Sequence, residues 1–160
     1  MAPPKKTITR RDARPCVSTK IEIQSIMKIR VYYEDTDCGN VVYYANYLKY
    51  LERGRTELMR ERGVGFGRLH REGILFVVAE IKVKYLAPAK YDDLLDVATR
   101  IASISPASMV FQTTIRNESG AELVAGEVKV ACTTTEGKVR RIPKEILESL
   151  GKDPSDTDKN

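Results

Sequence analysis

A single histidine, His70, in 160 residues removes most of the usual acid–base repertoire from this sequence. It lies in a glycine-flanked polar stretch, Gly67-Arg-Leu-His-Arg-Glu-Gly73, with no nucleophile or acid arranged around it, and reads as a surface residue. A Ser–His or Cys–His mechanism would have to rest on it alone. Cysteine is scarce too. Cys16, Cys38 and Cys132 are widely spaced and form no Cys-x-x-Cys pair. That excludes a disulfide scaffold and a cysteine-held zinc site, and makes a reducing cytoplasm the expected compartment. Cys38 has no basic neighbour in sequence to activate it and reads as a small packing residue. No apolar run approaches the roughly 20 residues of a membrane helix, and no hydrophobic segment follows the charged N-terminus, so neither integral membrane contact nor a secretory signal is expected.

Excess charge of one sign is also missing from the body of the chain. The formal charge is +5, but residues 1–26 hold six basic and two acidic groups, leaving 21 and 20 for the other 134 residues. A phosphate footprint needs a concentrated basic patch, so nucleic acid is not an expected partner.

What is present is one domain's worth of chain with a legible order of elements. Residues 1–26, basic and with Pro3 and Pro4, read as a disordered extension. Met27 to Tyr33 reads as the first strand. From Ala45 to about Arg62, Tyr47, Leu51, Gly54 and Leu58 recur at helical steps, and Gly63 sits where a glycine closes a helix. A turn of helix is expected near Arg68–Arg71. Strands then follow at 74–86, 93–103, 107–116 and 121–134, with a short one at 138–141. Pro143 opens a last helix through Leu150, and residues 151–160 form a flexible polar tail. One long helix and four or five antiparallel strands make a two-layer α+β domain, here 27–150, whose edge strands invite pairing between copies.

Chemistry concentrates in the connection between the first strand and the long helix. Asp35 and Asp37 flank Thr36 and, in an extended segment, point the same way. They abut a hydrophobic strand, Gly39 follows, and the apolar Val41-Val-Tyr-Tyr44 leads into the helix. One reading is a solvated acidic loop that caps the helix. The other is a base or nucleophile held beside unpaired helix N–H groups, suited to attack on an activated carbonyl. Asp-x-Asp also opens haloacid-dehalogenase-type phosphotransferases, but Gly39 stands where those need Thr or Val, and no strand–helix alternation follows. The spacing also fails as a calcium loop.

The string Val31-Tyr-Tyr-Glu-Asp-Thr-Asp-Cys-Gly-Asn-Val-Val-Tyr-Tyr-Ala-Asn-Tyr47 closely resembles the signature of hotdog-fold acyl-CoA thioesterases, the YbgC-like and 4-hydroxybenzoyl-CoA thioesterase group. The resemblance continues through Tyr50-Leu-Glu-Arg-Gly-Arg-Thr-Glu-Leu58, Val83-Lys-Tyr-Leu-Ala-Pro-Ala-Lys-Tyr-Asp-Asp93 and Lys138-Val-Arg-Arg-Ile-Pro-Lys144. It implies a hotdog fold, one long central helix wrapped by a curved antiparallel sheet. It also implies a homodimer, or a dimer of dimers, with sites at the interface. By resemblance Asp37 is the essential carboxylate, as nucleophile or general base, and the Tyr44 N–H polarises the thioester carbonyl. Val42 and Tyr43 are candidates for substrate binding, Lys138 and Arg140 for the CoA phosphates, and the Tyr44 side chain borders the acyl pocket. Neither a metal nor a cofactor is implied. The expected substrate is an acyl-CoA, with acyl carrier protein as an alternative thioester carrier. Many YbgC-like members have His at the position of Tyr44. A backbone donor survives that change, which bears on acyl preference instead. A hotdog dehydratase or hydratase would need a His–acid pair where only His70 is on offer, and a non-catalytic binding or scaffold protein would not need Asp37.

Overall fold

The computed structural model describes residues 23–151. The expected N-terminal extension before residue 23 and the tail after 151 lie outside them. Five strands form one antiparallel sheet: β1 (Gln24–Arg30), β2 (Leu75–Tyr85), β3 (Leu94–Ile104), β4 (Ser108–Arg116) and β5 (Glu122–Thr133), in the order β1-β3-β4-β5-β2. Three helices accompany it: α1 (Asn46–Glu61), the short α2 (Phe66–Arg71) and α3 (Lys144–Gly151). The sheet wraps α1, which is the hotdog arrangement.

Two departures from the expected elements have simple causes. β1 begins at Gln24, three residues before Met27, because Gln24, Ser25 and Ile26 pair with Arg100, Thr99 and Ala98 of β3. A partner strand, invisible to local pattern, extends it. The strand expected at 138–141 is reduced to one bridge, Thr133 to Val139, because the chain leaves the sheet after the turn at Gly137.

The core follows from alternation. Met109, Phe111, Thr113 and Ile115 of β4 are buried, with Leu95, Val97 and Thr99 of β3 beside them. Tyr47, Tyr50, Leu51 and Leu58 of α1 cover these residues at helical spacing. Two glycines let helix and sheet approach. A Cβ on Gly54 would lie 2.5 Å from Thr99 Oγ1, and one on Gly126 would lie 2.8 Å from Leu51 Cδ1. α1 stops at a Schellman turn: Gly63 has φ +76°, and the Val64 N–H donates to the Met59 carbonyl at 3.0 Å. α2 ends in the same way, Ile74 N–H to Leu69 carbonyl at 2.9 Å, and that turn aims the chain into β2.

Candidate active site

The chain leaving β1 is tied down before it reaches α1. Val31 exchanges hydrogen bonds with the 92–93 turn, and the Val42 N–H donates to the Ala89 carbonyl at 2.9 Å. Val41 bridges Lys90, and the rings of Tyr33 and Tyr91 meet edge to face at 6.0 Å. The 83–93 block is therefore the floor on which the acidic connection is built.

On that floor the two aspartates part company, against the expectation that they point the same way. Tyr33–Asp35 forms a turn of 3₁₀ helix, closed by Asp35 N–H to the Tyr32 carbonyl at 3.0 Å, so the segment is not extended there. Asp35 is half-buried and acts as a knot. Its Oδ2 accepts from the Tyr32 N–H at 2.9 Å. Its carbonyl accepts from the Tyr43 N–H at 2.8 Å and from Asn46 Nδ2 at 2.9 Å. Asp37 is exposed. It opens a tight reversal in which Oδ1 accepts from the Gly39 N–H at 2.7 Å and the Asp37 N–H donates to the Val41 carbonyl at 3.0 Å. Asn40 takes the left-handed conformation, φ +58°, that Asn tolerates at such a turn. A Cβ at Gly39 would sit 3.0 Å from that same Oδ1, so a small residue keeps the carboxylate in place.

The reversal leads directly into Tyr43 and Tyr44. Their rings are 4.8 Å apart. The Tyr43 pKa is raised first by the neighbouring Tyr44 hydroxyl, with a smaller push from the Asp37 charge. α1 itself begins at Asn46, two residues beyond Tyr44. Ala45 is the N-cap and supplies no side-chain acceptor. Ser, Thr, Asp or Asn would normally occupy that position and satisfy an N–H of the first turn. The Tyr44 N–H likewise donates to no backbone carbonyl among the described residues. A carboxylate and a free peptide donor thus lie on one short connection at the positive end of a helix of 16 residues.

Tyr85, at the end of β2, was not legible as part of this site. Its hydroxyl donates to the Tyr44 carbonyl at 3.0 Å, and its ring meets Tyr44 at 6.3 Å and Tyr47 at 5.7 Å. Tyr47 Oη accepts from the Ala89 N–H at 3.1 Å, and burial raises the Tyr47 pKa. Asn46, an Asn at a helix start, joins the same connection through its Nδ2 bond to the Asp35 carbonyl.

With the geometry in hand, likeness to known proteins decides the family. Residues 39–124 match the family model of the Thioesterase superfamily. The YbgC acyl-CoA thioester hydrolase of Escherichia coli is 42% identical over 120 residues, which is 74% of this chain and 90% of that protein. The chain belongs to the thioesterase superfamily. Within it, this chain is a YbgC-type thioester hydrolase. A probable thioesterase from Bartonella henselae has 35% identity and a TM-score of 0.70, covering 75% of this chain and 99% of its own. A 4-hydroxybenzoyl-CoA thioesterase, solved as a mutant with 4-hydroxybenzoyl-CoA, superposes with a TM-score of 0.74 over 80% of this chain and 99% of its own. At 17% identity that last likeness speaks to the fold alone.

The remaining candidate residues of this thioesterase scatter. Val42 is buried and forms a bridge with Thr36. Lys138 and Arg140 follow β5, beside Thr133, which pairs with Leu75. Tyr85, on the site, pairs with Val124 at the other end of the same two strands. Ten residues of strand separate the ends, roughly 30 Å, so one protomer does not unite these cations with Asp37. His70 is exposed on α2. Among the described residues no group of His, Cys, Asp and Glu could hold a metal ion, and no helix is long and apolar enough to cross a membrane.

Proposed function

We propose that Asp37 and the Tyr44 N–H carry out hydrolysis of an acyl-CoA thioester to a free carboxylic acid and CoA. The observation that carries this reading is the exposed Asp37 carboxylate held in a fixed turn beside an uncapped helix start. The Tyr44 N–H polarises the carbonyl and receives the charge that develops on its oxygen, an interaction whose loss typically costs about 3 kcal/mol of barrier. Asp37 then acts by one of two balanced routes. As nucleophile its carboxylate oxygen bonds to the acyl carbon, the C–S bond breaks, CoA leaves as thiolate and takes a proton, and water cleaves the mixed anhydride. As base it takes a proton from water while the water oxygen bonds to the acyl carbon; the C–S bond then breaks, and CoA leaves as thiolate and takes that proton.

A homodimer through β2 belongs to the same proposal. β2 is an 11-residue edge strand with one side unpaired, and Val77, Val78 and Ile81 are each more than 40% exposed. A long strand edge left unpaired is a pairing surface. Antiparallel pairing about a two-fold axis would set the Tyr85 end of one β2 against the Leu75 end of the other. Lys138 and Arg140 of one protomer would then approach Asp37 of the other, within reach of CoA phosphates. A cytoplasmic location is consistent with the free, exposed Cys38. The test is thiol release from short-chain, long-chain and aromatic acyl-CoAs by wild type and Asp37→Ala. Turnover that collapses in the folded variant is expected, and equal turnover in both proteins would overturn the reading.

A further inference from the structure

All eight tyrosines of the chain fall in two segments, residues 32–50 and 85–91. The fold joins the two segments, with the Val42 N–H donating to the Ala89 carbonyl at 2.9 Å. Ring contacts run in a line from the acidic connection into α1: Tyr43 to Tyr44 at 4.8 Å, Tyr44 to Tyr85 at 6.3 Å, Tyr85 to Tyr47 at 5.7 Å and Tyr47 to Tyr50 at 5.8 Å. Tyr85 is the link supplied by β2. Contacts of this kind seat the ring, and a phenylalanine would make them equally well. The hydroxyl is the part that packing does not explain.

That hydroxyl donates to the Tyr44 carbonyl at 3.0 Å. The chain enters α1 through a turn from Tyr43 to Asn46, closed by the Asn46 N–H donating to the Tyr43 carbonyl at 2.8 Å. Asp35 holds both ends of the turn, its carbonyl accepting from the Tyr43 N–H at 2.8 Å and from Asn46 Nδ2 at 2.9 Å. Two peptide planes meet at the Tyr44 Cα. The Tyr43–Tyr44 plane carries the Tyr44 N–H and is fixed by the closing bond of the turn. The Tyr44–Ala45 plane takes no part in that bond, and no backbone N–H among the described residues donates to its carbonyl. Ala45 has φ −71°, so a full flip of this plane, which needs a positive φ there, is closed to it. Rocking about the Tyr44 Cα remains, and the Tyr85 hydroxyl stops it. Tyr47 Oη accepts from the Ala89 N–H at 3.1 Å, so the first turn of α1 is anchored to the same 85–91 segment as the clamp.

We propose that Tyr85 is a positioning residue for thioester hydrolysis, its hydroxyl locking the Tyr43–Asn46 turn so that the Tyr44 N–H stays aimed at the thioester carbonyl. The proposal rests on the assignment of that N–H to the reaction. Direction matters because a catalytic group held slightly out of place loses rate even while it still binds. The loss is smaller than the factor of about a hundred or more for removing a donor outright, since the N–H remains and only its aim loosens. Stability should scarcely move. Tyr44 and Tyr85 are both exposed, so water answers the carbonyl once the hydroxyl is gone.

The test is Tyr85→Phe, which keeps the ring and removes one oxygen. On the better of benzoyl-CoA and hexanoyl-CoA, kcat should fall about tenfold while KM stays within about twofold of wild type. The thermal midpoint should stay within about 3 °C. In ¹⁵N relaxation of the free protein, the order parameters of the Tyr44 and Ala45 N–H groups should drop from about 0.85 towards 0.6. Unchanged kcat, or a raised KM with kcat kept, would overturn the positioning role. So would N–H groups as rigid in the variant as in wild type, because a ring that only packs leaves them so. No turnover of any acyl-CoA by wild type would overturn the thioesterase reading; looser N–H groups in Tyr85→Phe would then leave the clamp standing.

Discussion

The same substitution at two helical glycines should move stability in opposite directions. In a helix interior Gly→Ala is worth about 1 kcal/mol in favour of Ala, because the unfolded chain has less freedom to lose. At Gly67 that gain is unopposed: an added Cβ meets only the end of the Arg71 side chain, at 3.8 Å. At Gly54 the new methyl would stand 2.5 Å from Thr99 Oγ1 and 3.0 Å from Val97 Cγ1, inside contact distance of both. Thr99 cannot swing away freely, since it is fully buried and its hydroxyl shares a 2.9 Å hydrogen bond with Thr113. Relief requires α1 to move off the sheet, at about 1–3 kcal/mol for overpacking, or the threonine bond to break, at about 1 kcal/mol. Gly54→Ala should therefore lose roughly 1–3 kcal/mol net and Gly67→Ala should gain about 0.5–1. Urea unfolding midpoints at one fixed protein concentration, with unchanged m-values, measure both. A Gly54→Ala protein as stable as wild type would refute the close-approach account of how α1 seats on the sheet.

Three further outcomes follow from named contacts. Tyr50 is buried, and burial, followed by the Asp35 charge, raises its pKa, although its hydroxyl makes no well-formed hydrogen bond among the described residues. The folded state then keeps a proton that the unfolded state releases above the ordinary value of 10.0. Its contribution is thus complete below pH 10 and declines as pH rises beyond it; Tyr50→Phe should flatten that decline while changing stability at pH 7 by less than about 1 kcal/mol, read from midpoints at pH 7, 10 and 11. Asn46→Ala removes the 2.9 Å bond from Nδ2 to the Asp35 carbonyl; it should cost about 1 kcal/mol of stability and lower kcat more than it raises KM, because the Tyr44 turn loosens. Ile81→Lys places a charge on the exposed edge of β2. It should yield monomers by sedimentation and abolish hydrolysis, if the site needs both protomers.

Local pattern carried the fold a long way. Tyr47, Leu51, Gly54 and Leu58 mark the buried stripe of α1, and alternation marks the long strands, because burial on one face leaves a period that a single segment displays. The acidic connection was legible as a candidate site for a similar reason, since it is one short segment between β1 and α1; the choice of Tyr44 within it came from the family resemblance. What escaped needed two distant segments at once. Tyr85 reaches Tyr44 across 41 residues, and the first turn of β1 exists only because β3 pairs with it. Asp35 and Asp37 looked equivalent because spacing alone does not reveal a 3₁₀ turn between them.

That difference between the two aspartates is where the mechanism is most exposed to test. Thiol release on the best acyl-CoA substrate should be measured for Asp37→Asn and Asp35→Asn side by side, with folding checked by thermal unfolding. Asp37→Asn preserves shape but removes the base or nucleophile, and should lose at least about a hundredfold in kcat. Asp35→Asn keeps an oxygen for the Tyr32 N–H and should stay within about tenfold of wild type. The reverse ranking, or equal loss in both, would contradict the assignment of Asp37 as the reacting carboxylate.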